Sequence, residues 1–515
     1  MVASSSPAAS EVGERILCKG GNATDAAVAM AAALPVVEPT CNGLGSDLFC
    51  LYWDGETLHG YNGSGKSPRR LDLHHCPTCE TLPKDGVLPI MTPGAVAGWV
   101  DLHETFGSLA FEEVLAPAIS LAEEGFIVGE QLALLWEESF QRFLPHREES
   151  LYGPWFSIFA PKGRAPRAGE IVSLPELGKS LRAIAKTKGE AFYRGEIAEA
   201  IDETMREVGG FFRKEDLEVH RGMFVDPISV RYRGVDVWEI PPNGHGIAVL
   251  VALGILEEMD LQSMSEIERQ HALIEAMKLA YVDIKEVVAD QEYMEVSVEE
   301  LLDTAYHQGR RDLIASRATS PVPSFGASPS TVYFAVADEA GRMVSMIQSN
   351  FDGFGSGVVV PEWGVALNNR GCNFNLRKGH PNCVGPNKRS YHTIIPGFMT
   401  KDGEAFGAFG VMGGFMQPQG QLQVISRLLD EGCTAQEALD APRWQWKEGC
   451  RLDVEREFGQ ELLQGLEEKG HLLTRLDDYR EMGRGQIILR HGEIYSGGTE
   501  KRTDGVILGI QGGQS

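Results

Sequence analysis

The sequence has little of what several common functional classes require. It holds nine cysteines in 515 residues, an odd number without regular spacing. That excludes a dense disulfide framework and fits reduced thiols. Positive charge is scarce: Lys plus Arg total 47 against 73 Asp plus Glu, a net charge of -26. A polyanion of this kind repels phosphate backbones, so nucleic acid is excluded as an expected partner. Long apolar runs are missing as well. The longest, Ala26 to Leu34, meets Pro35 and is too short to span a bilayer, so no membrane partner is expected. Residues 1–15 have neither a basic start nor an apolar core and do not read as a signal peptide. HExxH and GxSxG are both absent, which removes the usual anchors of zincins and serine hydrolases. These absences predict a soluble, cytoplasmic protein.

What is present is glycine, 59 residues, and 43% hydrophobic residues. The chain can bury a sizeable core, and its many glycines suggest tight turns or close backbone approaches to a ligand. Up to about residue 317 helical periodicity dominates. Asn22 to Leu34 begins with cap residues and is expected to stop at Pro35. Pro93 to Phe106, Leu115 to Gly125, Glu130 to Phe143, Leu177 to Thr187, Glu196 to Val208 and Ile267 to Val288 read as further helices. Two hairpins are expected in this part, around Asp54-Gly55 and Arg233-Gly234. Ala318 to Ser330, with three prolines, four serines and no charge, reads as an exposed linker. Strands then follow at Thr331 to Ala337, Met343 to Ser349, Val365 to Asn368 and Thr393 to Met399. A helix is expected at Leu422 to Leu429. The pattern predicts a layered α/β sandwich.

Three places could carry chemistry. Gly60 to Ser67 matches GxxxxGK[ST] letter for letter, the phosphate-binding loop pattern. Its preceding strand belongs to a short antiparallel hairpin, however, and Cys76-Pro77 follows within two turns, so a plain turn is the expected reading. His74, His75, Cys76 and Cys79 have no second ligand cluster to complete a zinc site. The third place is Ser330-Thr331, at the junction of linker and strand. Cleavage there would give Thr331 a free α-amino group beside its own hydroxyl, and such an amine titrates near about 7.7–8.0. One residue then supplies both nucleophile and base. Gly413-Gly414 offers two unobstructed backbone N–H groups, a candidate oxyanion hole.

The chain also resembles the γ-glutamyltransferase family. The resemblance is carried by Gly20 to Val28, Glu38-Pro39, Gly43 to Asp47, Thr92 to Val96 and Thr331 to Asp338. It continues through Phe354 to Gly357, Leu367 to Arg370, Gly385 to Arg389, Gly413-Gly414 and Ala441 to Arg443. This likeness implies the N-terminal nucleophile hydrolase fold, an αββα four-layer sandwich formed by autoproteolysis. It implies a large fragment 1–330 and a small fragment 331–515 that stay associated, with Thr331 as catalytic residue and Ser330-Thr331 as processing site. Ser349 falls where the family has a threonine bonded to the nucleophile's amine, and Gly413 and Gly414 fall on its oxyanion glycines. No metal or organic cofactor is implied, and the substrate is a small amide or peptide.

The donor pocket departs from the family pattern. An arginine that grips the α-carboxylate aligns within Ser64 to Pro68, and the acidic residue that holds the α-amino group is Asn373. Arg370 replaces a glutamine, and a Ser–Ser pair becomes His392-Thr393. Losing a bidentate arginine removes roughly 1.5–3 kcal/mol of charge-assisted binding, which Arg370 or Lys66 could replace. The chain is similar to the divergent branch that includes cephalosporin acylases. It is expected to hydrolyse or transfer a γ-glutamyl or related acyl group from amides such as glutathione. Two other readings stay open: an unprocessed, silent relative acting as a binding protein, and a nucleotide-binding enzyme.

Overall fold

The computed structural model describes residues 1–76, 81–320 and 332–510. Thr331, Ser330, Cys79 and most of the expected linker lie outside the described residues. A seven-stranded antiparallel sheet runs in the order Val506–Leu508, Val2–Ser4, Val332–Ala337, Met343–Ser349, Asp47–Trp53, Leu58–Asn62, Met223–Val225. A six-stranded sheet runs Ile494–Thr499, Arg484–His491, Glu404–Met412, Gly397–Lys401, Val235–Glu239, Ile228–Tyr232. The two sheets pack face to face. The helices Pro7–Cys18, Ala23–Val37 and Ala95–Phe106 cover the first sheet, and Ile247–Leu256, Gln417–Leu429 and Ala435–Asp440 cover the second. This is the αββα four-layer sandwich of the N-terminal nucleophile hydrolases.

The two parts of the sequence differ in texture but not in fold. Val2–Ser4 lies between Val332–Ala337 and Val506–Leu508, so the first residues are stitched to the last. The segment before the expected cleavage point is anchored too. Thr319 donates from its backbone N–H to Glu275 Oε2 at 3.0 Å, and its carbonyl accepts from Lys278 Nζ at 3.1 Å. Glu275 and Lys278 form a fully buried pair 2.6 Å apart. Among the described residues no helix is long and apolar enough to cross a membrane.

Several expectations need correction. The helix starting after Asn22 has the expected cap, with Asn22 and Asp25 in a reciprocal capping box. It does not stop at Pro35 but continues to Val37. Proline in a helix deprives the carbonyl four residues earlier of its donor, and here the Ala31 carbonyl accepts from Gln348 Nε2 at 3.2 Å instead. The strand expected from Thr393 begins only at Gly397. Residues before it spend backbone groups elsewhere: Ile395 N–H donates to Gln417 Oε1. The helix Ile247–Leu256 was not expected, because every position but one is buried and no amphipathic stripe remains to be read.

The phosphate-loop motif spans the end of the strand Leu58–Asn62 and an irregular segment, residues 63–67. Leu58–Asn62 is antiparallel to both its neighbours, and after Ser67 the next helical element is a single 3-10 turn, Leu73–His75. A Cβ at Gly65 would lie 1.6 Å from the Thr92 carbonyl oxygen, so that glycine serves backbone packing rather than phosphate. The nucleotide-binding reading has no structural basis here.

Candidate active site

Ser349 ends the strand Met343–Ser349 and pairs in register with Asp47, the first residue of Asp47–Trp53. On the other side Gln348 pairs with Val332, the residue that follows Thr331. Ser349 Oγ accepts from Phe351 N–H at 2.7 Å and from Arg370 Nη2 at 3.1 Å. A hydroxyl oxygen that accepts from two donors still carries one O–H of its own to donate.

Arg370 organises this end of the sheet. Its Nη1 donates to Thr393 Oγ1 at 2.8 Å, and its Nε faces Asp47 Oδ2 at 3.3 Å as an ion pair. Both charges are buried. Burial pulls the guanidinium down to about 10, and Asp47 opposes the shift, so Arg370 stays charged near neutral pH. Asp47 also accepts from Gly65 N–H at 3.2 Å and from His392 Nε2 at 3.0 Å. Burial, and then the Arg370 charge, hold His392 down to about 4. His392 is therefore neutral, an N–H donor to Asp47, stacked 4.6 Å from the Phe49 ring. Removing one partner of a buried ion pair costs about 3–5 kcal/mol. Asp47→Asn is expected to lower the unfolding free energy by roughly that amount in a urea titration; an unchanged midpoint would show that Arg370 has other compensation.

Gly413 and Gly414 form the turn between Glu404–Met412 and Gln417–Leu429. Their φ angles are +133° and +52°, conformations that L side chains rarely adopt. Among the described residues neither N–H has a hydrogen-bond acceptor. Phe415, the next residue, lines a cavity of about 100 Å³ together with Asn373, Phe374, Lys285, Tyr391 and Leu82. The structure thus gathers Ser349, Arg370, His392 and Thr393 into one buried network, and sets Asn373 beside the turn that carries the two glycines.

Sequence reasoning missed Asp47 as a partner, although it closes the quoted Gly43–Asp47 motif. It also missed His245, whose Nε2 lies 3.0 Å from the Thr393 carbonyl and whose Nδ1 lies 3.0 Å from Tyr391 Oη. A carbonyl only accepts, so Nε2 carries the proton and Nδ1 accepts from the tyrosine. Ser64 donates through its hydroxyl to Asn62 Oδ1 at 2.6 Å. His271, Glu275 and His471 place three ligand atoms within 4.8 Å of one another. An ammonium already occupies that carboxylate, since Lys278 donates to Glu275.

Residues 9–510 match the sequence profile of the Gamma-glutamyltranspeptidase family. The chain is 36% identical to the glutathione hydrolase-like YwrD proenzyme of Bacillus subtilis, covering 99% of this chain and 98% of that one. It is 31% identical to the oxamate amidohydrolase proenzyme of Klebsiella pneumoniae, covering 97% and 96%. Among solved structures, the cephalosporin acylase from Bacillus halodurans superposes with a TM-score of 0.96 at 47% identity, over 99% of this chain and 96% of that one.

Proposed function

The chain belongs to the gamma-glutamyltranspeptidase family, and from that premise we propose an autoprocessing N-terminal-threonine hydrolase or acyltransferase whose donor is an amide of an acidic acyl group. The observation that carries the reading is the pair of N–H groups at Gly413 and Gly414 that have no acceptor among the described residues, directly before Phe415, which lines a cavity with Asn373. Two adjacent donors held in place before a reaction stabilise a developing oxyanion without reorganisation.

In this mechanism Thr331 Oγ attacks the Ser330 carbonyl, and the Ser330–Thr331 C–N bond breaks to free the Thr331 amine as the acyl group moves to Oγ. Water then hydrolyses that ester to give the Ser330 carboxylate and the free Thr331 hydroxyl. In turnover that amine takes the hydroxyl proton as Oγ bonds to the substrate carbonyl. The C–N bond then breaks and the proton leaves with the amine product. Water or an acceptor amine cleaves the acyl-enzyme. Ser349, whose oxygen is already held by two donors, can present its proton to the Thr331 amine. Arg370 acts here as a positioning residue, since its charge is matched by Asp47 and its N–H groups orient the Ser349 and Thr393 hydroxyls. Residues 1–4 pair with strands from beyond residue 331, which supports two fragments that remain together after cleavage.

The donor pocket supports a departure from γ-glutamyl specificity. Ser64 and Asn373 stand where a charged pair would read an α-amino acid head group, and buried polar recognition is what gives large selectivity. The measurement is kcat/KM for paired γ-glutamyl and glutaryl anilides at one pH and salt concentration. A ratio near unity, or one favouring glutaryl, is expected. A γ-glutamyl preference of about 10³, about 4 kcal/mol, would overturn this reading and make the protein an ordinary glutathione hydrolase.

A further inference from the structure

We infer that Lys285, with Asn373, reads a carboxylate at the far end of the donor's acyl chain. The inference rests on the acyl-transfer reading above and names its donor as the half-amide of a short dicarboxylic acid. Lys285 projects from the helix Glu266–Val287 into the cavity that Asn373, Tyr391 and Phe415 also line. Its ammonium lies 5.1 Å from the Tyr281 ring centroid, 5.4 Å from Phe415 and 5.6 Å from Trp446. Three ring faces attract a cation but accept its hydrogen bonds poorly. Among the described residues Lys285 has neither a hydrogen-bond acceptor nor a carboxylate partner. Asn373 Nδ2, a buried atom, has no acceptor among the described residues either.

A buried donor such as Asn373 Nδ2 is costly to leave unmade unless a ligand or water completes it, and the half-buried Lys285 sets a positive charge on the same cavity. The other polar side chains of the wall are engaged: Asn375 with His380, Asn382 with the Asn373 carbonyl, and Lys84 with Asp352. Burial lowers the Lys285 ammonium to about 8, so it is still mostly protonated at pH 7. The cavity therefore offers one positive charge, one neutral donor and no free acceptor charge. That set suits a carboxylate and rejects an ammonium. Phe415, on the same cavity wall with its ring 5.4 Å from the Lys285 ammonium, directly follows Gly413 and Gly414 in the chain.

The test compares glutaryl 4-nitroanilide with its terminal carboxamide, an uncharged donor of the same length, on processed wild-type and Lys285→Met protein. Wild type is expected to favour the acid by about 30-fold in kcat/KM, about 2 kcal/mol, mostly through KM. Lys285→Met is expected to bring that ratio within about threefold of unity. Asn373→Asp, which sets a carboxylate beside Lys285, should also erode the acid preference and raise turnover of the γ-glutamyl anilide. An acid preference retained by Lys285→Met, or absent from wild type, would overturn the assignment. Glutarate binding separates this inference from the reading beneath it. If processed wild type cleaves neither anilide yet glutarate raises its melting temperature and not that of Lys285→Met, the acyl-transfer reading fails and the carboxylate site stands. Equal or absent shifts in the two proteins would overturn the site itself.

Discussion

Thr331→Ala is expected to remain a single full-length chain under denaturing electrophoresis and to hydrolyse no acyl anilide above background. Wild type should resolve into two fragments, the smaller beginning TVYFAV. One hydroxyl performs both steps, so its loss removes processing and turnover together rather than weakening either. Removing the nucleophile of a catalytic unit costs on the order of 10⁶ in kcat, which places the variant at the assay floor. Thr331→Ser keeps the hydroxyl and should process, but slowly. N-terminal sequencing of an intact, fully active wild-type chain would sink the mechanism. So would a Thr331→Ala protein found cleaved at the same bond.

Much of this architecture was legible because local signals and packing agree. The helix Glu130–Phe143 falls where periodicity sets it, since its apolar face has a single place to go, and the strand Met343–Ser349, buried along its whole length, also falls within its expected bounds. The cap at Asn22 was visible as well, and the structure adds its reciprocal bond with Asp25. Pro35 misled because its cost depends on a partner far away in sequence: Gln348 supplies the donor that proline withholds. The helix Ile247–Leu256 was hidden by being buried on all sides. Periodicity reports a boundary between water and core, and this helix has none.

The site divides along the same line. Ser349, Arg370, Asn373, His392, Thr393 and the glycine pair were all singled out from motif position. What the sequence could not give was which of them face one another. Arg370 read as a spare cation, and only its contact with Asp47 shows where that charge is spent. Lys285 carries no motif at all. It sits in a helix whose residues look like any long amphipathic run, and its meaning comes from Tyr281 one turn earlier together with two rings and one asparagine contributed by other elements.

Gly414→Val is expected to process incompletely or slowly, and the processed fraction to turn over 10²–10³ more slowly than wild type. That is the usual effect of losing one oxyanion donor, about 2.7–4 kcal/mol. At φ +52° a β-branched residue is strained, and the peptide can relieve that strain only by rotating its N–H away from the position it now holds. Gly413 is constrained differently. A Cβ there would stand 3.1 Å from Gly483 Cα, so even alanine must push against backbone. The order of damage should therefore be Gly414→Ala, then Gly414→Val, with Gly413→Val at least as severe. The defect should appear in kcat with little change in KM, because the lost contact exists chiefly in the transition state. A melting temperature within a few degrees of wild type would separate misplaced donors from a broken fold. If Gly414→Val kept full turnover on a processed enzyme, the oxyanion donors would have to lie elsewhere, and the cavity beside Phe415 would lose its claim to the reacting carbonyl.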